Sequence, residues 1–183
     1  MRLFVRSAAW AASGAGLAAE AEGSLITARD NWYMAAIHYG AAEWPYDNSG
    51  DMHARLNAKK RECHGLYAKV ADHHIEQVSI PFKGTHVPAW FHLPPGYQGG
   101  RIPTVISVPG MDSFKEASVS LANDPWLMRG MAVLAIDGPG QCECPLLGLY
   151  VSMQNWIDVG PVWVNWLLNI VESSGRVVKT ALN

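Results

Sequence analysis

The sequence predicts an α/β fold, in which a helical region is followed by an incomplete, mostly parallel sheet of about four strands. Residues 1–74 have apolar side chains at the spacings of three and four that are typical of helices. From residue 75 the pattern changes to alternating and β-branched runs, which indicate strands, and helical patterns separate the later strands. We therefore expect a helical region over residues 1–74 and an α/β core over residues 75–183.

The composition excludes several classes of protein. Apolar residues make up 49% of the 183 residues and charged residues 16%, which is incompatible with intrinsic disorder. The formal net charge of −2 gives no overall basic field, so we expect no nucleic-acid partner. No apolar run reaches the roughly 18 residues that a membrane-spanning helix needs, so we expect no membrane partner.

The N-terminus and the cysteines both favour a cytoplasmic protein. Arg6 interrupts the first apolar stretch, and Glu20 and Glu22 closely follow the second, so this segment resembles an Ala-rich amphipathic helix more than a signal peptide. Cys142 and Cys144 are too close in sequence for an ordinary structural disulfide, and the total of three cysteines is odd. Free thiols fit a reducing compartment.

Three helices are predicted in the first region. The stretch over residues 8–21 is dense in alanine, and residues 24–44 carry apolar side chains at helical spacing. This second helix ends at Trp44 because the residue before a proline is pushed out of the helical region. A third helix is predicted over residues 52–71.

The core is predicted to begin with a β-hairpin. Residues 75–82 and 87–93 have strand patterns, and Lys83–Gly84 forms the turn between them. The β-branched and aliphatic runs over residues 103–108 and 131–136 are typical of strands that are buried on both faces. Helical patterns follow each of these two strands, over residues 115–128 and 151–170.

A sharp turn ends the first buried strand, at the sheet edge where open α/β sheets bind their ligands. Pro109–Gly110 follows this strand, and backbone N–H groups after such a glycine can point at an anion. An ordinary strand-to-helix loop has the same sequence features, so this segment alone leaves both interpretations open.

The second buried strand ends at Asp137 and is followed by Gly138–Pro139–Gly140, which is similar to the start of a dinucleotide fingerprint. That fingerprint needs a small residue where this chain has Glu143, because helix and strand must touch there. We therefore expect no cofactor. The adjacent histidines His73–His74 and the pair of Cys142 and Cys144 lack the further ligands of a metal site, so we expect no metal.

Together the two segments resemble the α/β-hydrolase superfamily and, within it, the FrsA-like branch. The first reads P-G-M-D-S-x-K-E at residues 109–116, and the second reads D-G-P-G-Q-x-E at residues 137–143, after an R-G-x-A-V-L strand. The branch contains the 2,6-dihydroxypseudooxynicotine hydrolases, which cleave a carbon–carbon bond in a β-diketone-like substrate, and fungal hydrolases that shorten polyketides. The resemblance covers residues 24–166 and implies the N-terminal half of an α/β-hydrolase fold, with the helical region as part of the cap.

The resemblance implies roles for individual residues. Gly110 and Met111 lie where the family has its oxyanion-hole loop, and the backbone N–H of Met111 would be one donor to the oxyanion. Glu143 lies where the family has a glutamate near the substrate, which implies substrate orientation or proton transfer. The alternative for Glu143 is a structural brace of its loop. Cys142 replaces a family glycine, which matters if that position needs a positive φ.

Two members of the family's catalytic triad are missing from this chain. The nucleophile elbow requires G-x-S-x-G, and none of the 17 glycines has a serine two residues later. The last histidine, His92, precedes the oxyanion loop, whereas the family order is nucleophile, acid, histidine. Cys142 follows the wrong strand to serve as a nucleophile. We therefore expect a chain that is truncated before the nucleophile elbow and inactive by itself.

This truncation has structural consequences in the family's fold, where the nucleophile strand lies in the middle of the sheet. Without that strand, we expect the strand over residues 103–108 to be an exposed apolar edge. We also expect the tryptophans of the helix over residues 151–170 to lose packing partners.

Two functions remain open from the sequence. The first is a fragment of an α/β-hydrolase that acts on a carbonyl through a serine nucleophile absent from this chain. Its substrate would be the carbon–carbon bond of a β-diketone or polyketide-like molecule, or an ester or thioester. The alternative is a catalytically dead α/β domain that binds a small ligand or a protein partner. The expected partner of the hydrolase is a small-molecule substrate, and the sequence leaves a homodimer open.

Overall fold

The computed structural model describes residues 2–110, 112–122, 124–174 and 176–180. The chain forms two compact units, Met1–Asp72 and His73–Asn183. The first unit contains three helices, namely α1 (Arg2–Ala21), α2 (Leu25–Glu43) and α3 (Asp51–Val70). The prediction of three helices is confirmed, although α1 begins before the predicted residue 8.

The middle helix organises the first unit, because α1 and α3 both pack against α2. The buried face of α2 combines small and aromatic side chains, among them Ala28, Trp32 and Tyr39. The ring of Trp32 lies against Gly16 of α1, at a place where a Cβ atom would be only 2.9 Å from the ring. Gly16 therefore allows the closest approach of α1 to α2.

A buried ion pair joins α2 to α3. The Nζ atom of Lys60 lies 3.2 Å from Oε1 and 3.3 Å from Oε2 of Glu43, and both side chains are buried. The Nε2 atom of His53 lies 3.8 Å from Oε2 of the same glutamate. Pairing of this kind offsets the high cost of burying a charge.

The second unit is a mixed five-stranded sheet with the order β1-β2-β4-β3-β5. β1 pairs antiparallel with β2, β2 pairs antiparallel with β4, and β3 lies parallel to both β4 and β5. The strands and the long helix α4 have the following bounds: β1 (His74–Phe82), β2 (Thr85–Leu93), β3 (Gly100–Ser107), β4 (Ala132–Ile136), α4 (Met153–Ser174) and β5 (Arg176–Thr180).

The predicted hairpin is confirmed as β1 and β2, and its turn is at Lys83–Gly84. Both turn residues have positive φ, 46° and 78°, which matches the two-residue turns that suit the twist of paired strands. The central strand β4 is buried along its whole length. No helix among the described residues is long and apolar enough to cross a membrane.

β5 covers only the first part of β3, so the expectation of an exposed edge over residues 103–108 is wrong at residues 103 and 104 alone. β5 pairs in parallel with β3, from Gly100 opposite Arg176 to Thr104 opposite Thr180. Residues 176–180 therefore pair with residues 100–104, and no described strand pairs with residues 105–107 on this side of β3.

The tryptophans of α4 have packing partners, contrary to expectation. Val159, Trp163 and Leu167 are buried in the core of the second unit. The ring of Trp156 meets that of Trp163 edge-on at 6.2 Å, and Phe91 of β2 meets Trp166 in the same way at 6.1 Å. These are favourable aromatic geometries.

The prediction of a helix over residues 115–128 is also wrong. The described residues of this segment form turns and two short 3-10 helices, Ser120–Ala122 and Leu127–Arg129. Lys115 and Glu116 are buried and not placed on a helix surface. Their buried charge contacts override the local helical pattern, a common outcome where tertiary interactions oppose helix propensity.

Candidate active site

The loops that follow β3 and β4 lie side by side at the carboxyl edge of the parallel strands, and Gln141 joins them. The side-chain Nε2 of Gln141 donates to the carbonyl oxygens of Pro109, at 2.8 Å, and Gly110, at 3.4 Å. Its Oε1 accepts the backbone N–H of Gly138 at 2.6 Å. One amide therefore fixes the glycine-rich loop after β4 to the loop after β3.

A buried charge cluster lies next to these loops. The Nζ atom of Lys115 is 2.8 Å from Oδ2 of Asp137, 3.1 Å from Oε1 of Glu116 and 3.4 Å from Oε2 of Glu143. All four side chains are buried. One ammonium group thus holds three carboxyl groups, one from its own segment and two from the D-G-P-G-Q-x-E segment.

The cluster keeps Lys115 charged in spite of its burial. Burial by itself lowers the pKa of Lys115, but the carboxylates of Asp137, Glu116 and Glu143 and the hydrogen bond to Asp137 together raise that pKa well above 10.5. The cation is consequently a permanent feature of the site at neutral pH.

Two further hydrogen bonds connect the cluster to the sheet. Oδ1 of Asp137 accepts the backbone N–H of Lys115 at 2.8 Å, so Asp137 braces the end of β4. The indole Nε1 of Trp90 on β2 donates to Oε1 of Glu116 at 3.0 Å. Lys115 and Glu116 thus fix the loop after β3 to β2 and to the residue after β4, and no α-helix begins there.

The glycine-rich loop after β4 is packed too closely for other residues. A Cβ atom on Gly138 would overlap the ring of Trp156 on α4. Gly140 has a φ of 89°, and a Cβ there would lie 2.6 Å from Cβ of Val151. Cys142 has a φ of 43°, so the position where the resemblance implies a glycine does have a positive φ in this chain.

The structure places the residues predicted for the site as follows. Gly110 is exposed, and its carbonyl oxygen accepts the N–H of Ser113 at 3.1 Å as well as the bond from Gln141. Met111 lies outside the described residues. Glu143 is 2% exposed and contacts Lys115 within the charge cluster.

Sequence reasoning missed three residues of this site. Gln141 belongs to the D-G-P-G-Q-x-E segment, and its place directly after Gly138–Pro139–Gly140 was the available signal. Trp90 and Trp156 are distant in sequence from the loops they contact, so no local pattern indicates them. Among the described residues, no group of three or more His, Cys, Asp or Glu side chains is arranged to hold a metal ion.

The fold and the two motif-bearing loops define an α/β hydrolase. The chain belongs to the FrsA-like esterase family, since the family model described as Esterase FrsA-like matches residues 9–144. Among curated proteins, the chain is similar to the α/β hydrolase ucsC of Acremonium sp, with 33% identity over 141 residues. It is also similar to Esterase FrsA of Enterobacter sp. (strain 638), with 27% identity over 110 residues.

These matches cover most of this chain but a minor part of each relative. They span 70% of this chain and 28% of ucsC, and 60% of this chain and 26% of the Enterobacter esterase. The crystal structure of the 2,6-dihydroxy-pseudo-oxynicotine hydrolase shares the fold, with a TM-score of 0.73 at 19% identity over 97% of this chain and 48% of that one. The chain therefore spans less than a third of the length of these curated relatives and about half of the solved hydrolase.

Proposed function

We propose that this chain supplies the carbonyl-binding part of a serine-dependent α/β-hydrolase site. The observation that carries the proposal is the bridge from Gln141 to Pro109 and Gly110, within a chain of the FrsA-like family. This bridge holds the loop after β3 firmly, and firmly held donors are what an oxyanion hole needs.

In this proposal the backbone N–H of Met111 donates to the oxyanion that forms when the substrate carbonyl is attacked. Gly110 allows the chain to turn just before that donor. Glu143 orients the loop or the substrate, and its contact with Lys115 favours positioning over proton transfer, because one carboxylate oxygen is held at 3.4 Å by a buried ammonium group.

The nucleophile in this proposal is a serine from outside residues 1–183. Its position is suggested by β5, which lies parallel to β3, where the family resemblance puts the nucleophile strand. An elbow after such a strand would present the serine at the same sheet edge as the loops after β3 and β4.

The proposed substrate class is a compound with an electrophilic carbonyl, either a β-diketone or polyketide-like ketone or an ester or thioester. The proteins to which this chain is similar include a 2,6-dihydroxy-pseudo-oxynicotine hydrolase and esterases, which supports both kinds of substrate. Both chemistries begin with attack on a carbonyl carbon and develop an oxyanion, so one oxyanion hole serves either.

The decisive experiment is to sequence the gene beyond codon 183 and translate all three frames. We expect a G-x-S-x-G segment followed by an acid and a histidine. The continuous protein should then hydrolyse members of an ester and β-diketone panel, and the serine-to-alanine variant and the 183-residue chain should not. If no such segment follows, the hydrolase proposal is overturned in favour of a ligand-binding domain.

A second measurement isolates the oxyanion loop in the continuous enzyme. Met111→Pro removes the proposed N–H donor, and we expect kcat to fall by about 10²–10³-fold, as for other oxyanion-hole donors. Met111→Ala keeps the N–H and serves as the matched control, with an expected change in kcat of less than about threefold. Equal losses in the two variants would show that the side chain matters and the N–H does not.

A further inference from the structure

A groove runs along the first unit between α1 and α3, which both pack on α2. Two cavities of about 470 and 580 Å³ line up along it and share Trp10, Tyr39 and Lys59, so they form a single groove. Each cavity lies within the range of about 300–1,000 Å³ that is typical of small-molecule sites. The site is separate from the loops of the proposed hydrolase site, which belong to the second unit.

The two ends of the groove differ in chemistry. The first cavity is lined by three cationic side chains, Arg6, Arg55 and Lys59, and by no acidic one. Lys59 is ion-paired with Glu62 at 2.7 Å, whereas neither Arg6 nor Arg55 has a salt-bridge partner among the described residues. This end therefore has unneutralised positive charge that suits an anionic group.

The other end of the groove is mainly apolar and aromatic, and its charged lining consists of the mutually paired Lys59 and Glu62. Trp10 and Leu17, which are seven residues apart on α1, line it and are 78% and 61% exposed. The buried ring of Trp32 forms its floor. Large apolar side chains left open along a concave surface are typical of binding sites.

Gly14 keeps the apolar end of the groove open. It lines the second cavity, and a Cβ atom added there would meet no atom within 4 Å. A larger side chain at this position would project into free space, so it would fill the groove without disturbing the packing of α1 on α2.

We propose that this groove binds an anionic amphiphile, a carboxylate with an unbranched apolar chain. The carboxylate pairs with Arg6 and Arg55, and the chain lies along Trp10 toward Leu17. The charge at one end and the apolar lining at the other determine this orientation. The proposal does not depend on the hydrolase activity, since it uses no residue of the second unit.

The test is isothermal titration calorimetry of the 183-residue chain with sodium decanoate and, as a matched uncharged ligand, decanol, both at submicellar concentration. We expect decanoate to bind at one site, at least about tenfold more tightly than decanol. Arg55→Gln should weaken decanoate binding by about tenfold and leave decanol unchanged, because it removes one charge-assisted contact.

A second pair of variants tests the place of binding. Gly14→Leu should weaken both ligands by at least about tenfold by filling the groove. Gly65→Leu is the matched control, since Gly65 is also a helical glycine with no atom within 4 Å of an added Cβ but does not line either cavity. Circular dichroism would verify that each variant retains the helical content of the wild type.

Three outcomes would overturn the proposal. The first is the absence of saturable decanoate binding. The second is equal affinity for decanoate and decanol, or equal effects of Gly14→Leu and Gly65→Leu. The third is a dimer in sedimentation velocity that Gly14→Leu dissociates, which would show that a second copy of the chain occupies the groove.

Discussion

Lys115 and Asp137 are joined by a double contact inside the second unit. The Nζ atom of Lys115 lies 2.8 Å from Oδ2 of Asp137, and the backbone N–H of Lys115 donates to Oδ1 at 2.8 Å. Their side chains are 2% and 0% exposed. Lys115, in the loop after β3, is thereby fixed through both backbone and side chain to Asp137, which directly follows β4, so the two loops of the candidate site share a single anchor.

Loss of the Lys115 cation should destabilise the protein strongly. Lys115→Met leaves the carboxyl groups of Asp137, Glu116 and Glu143 buried without their shared ammonium partner. Breaking a buried ion pair on one side costs about 3–5 kcal/mol, and we expect this decrease in the free energy of unfolding by urea.

The matched control for this prediction is Lys59→Met, which removes an exposed lysine that is paired with Glu62 at 2.7 Å. Exposed ion pairs contribute less than about 1 kcal/mol to stability, so the free energy of unfolding of this control should be close to that of the wild type. A similar small effect in both variants would contradict a structural role for the buried cluster.

The same lysine predicts a loss of stability at alkaline pH. Although burial lowers the pKa of Lys115, the surrounding carboxylates raise it well above 10.5 in the folded state. The folded protein thus binds this proton more tightly than the unfolded chain. The resulting stabilisation is complete below the unfolded pKa of about 10.4 and is lost as pH rises from there toward the folded pKa.

We therefore expect the free energy of unfolding of the wild type to decrease above pH ~10.4, the ordinary pKa of lysine. Lys115→Met has no lysine at this position to titrate, so its free energy of unfolding should not show this decrease. The difference in free energy of unfolding between the wild type and Lys115→Met should therefore become smaller with increasing pH. Urea titrations at several alkaline pH values would measure it. A constant difference across this range would contradict the raised pKa of Lys115.

The backbone at Cys142 predicts a stabilising substitution. Its φ of 43° lies in the left-handed region, which costs a residue with a side chain about 1–2 kcal/mol. Glycine relieves this cost but adds about 0.4–1 kcal/mol of unfolded-state entropy. We expect Cys142→Gly to raise the free energy of unfolding by about 0.5–1 kcal/mol.

Cys144→Gly is the control, because Cys144 is fully buried and its thiol contacts the carbonyl oxygen of Asp137 at 3.3 Å. It should destabilise the protein. If Cys142→Gly were destabilising as well, the 3.5 Å contact from the Cys142 thiol to the carbonyl of Ser113 would outweigh the backbone strain.

The contact between Gly138 and Trp156 predicts a coupled pair of substitutions. Gly138→Ala forces a Cβ into the indole ring, and overpacking of this kind costs about 1–3 kcal/mol. Trp156→Leu should remove the clash, so the double variant should lose less stability than the sum of the single variants. Thermal unfolding of the four proteins would measure this coupling.

Gly65→Ala provides the comparison for this cycle. Gly65 lies within α3, and an added Cβ there would meet no atom within 4 Å. The gain in helix propensity should make this variant more stable by up to about 1 kcal/mol. If the stability losses of Gly138→Ala and Trp156→Leu simply add up in the double variant, the loop moves away from the indole ring at little cost.

The elements that the sequence predicts correctly have local signals. The helices of the first unit follow from apolar spacing, and the hairpin follows from two alternating runs on either side of Lys83–Gly84. The segment over residues 115–128 has a helical pattern too, but Lys115 contacts Asp137 directly after β4, and Glu116 contacts Trp90 on β2. Such contacts depend on the folded sheet, so no local pattern indicates them.

The candidate site divides in the same way. The two glycine-containing motifs indicate which loops matter, and the fold brings those loops together. The network that fixes them is long-range: Trp90 and Glu116 are 26 residues apart, and Gln141 and Pro109 are 32 residues apart. Residue types and spacing indicate the loops, whereas the roles of Gln141 and Trp156 depend on the register of the strands.

The hydrogen bonds of the Gln141 side chain should limit the local opening of the loop after β3. In Gln141→Glu, the side chain still accepts the N–H of Gly138, but both donors to the carbonyl oxygens of Pro109 and Gly110 are lost. A carboxylate would instead face two carbonyl oxygens, which repel it. We expect the amide of Ser113, which bonds to Gly110, to exchange its hydrogen at least about tenfold faster in native-state exchange measured by NMR.

Global stability should fall by only about 1–2 kcal/mol in Gln141→Glu, because the buried charge cluster remains intact. Gln154→Glu is the matched control: its side-chain amide donates to Asp158 on the surface of α4, at 2.7 Å, so it changes the net charge equally without touching the loop. Its Ser113 amide should exchange at the wild-type rate. Unchanged exchange in Gln141→Glu would mean that the anchor between Lys115 and Asp137 alone holds the loop, and that Gln141 does not position it.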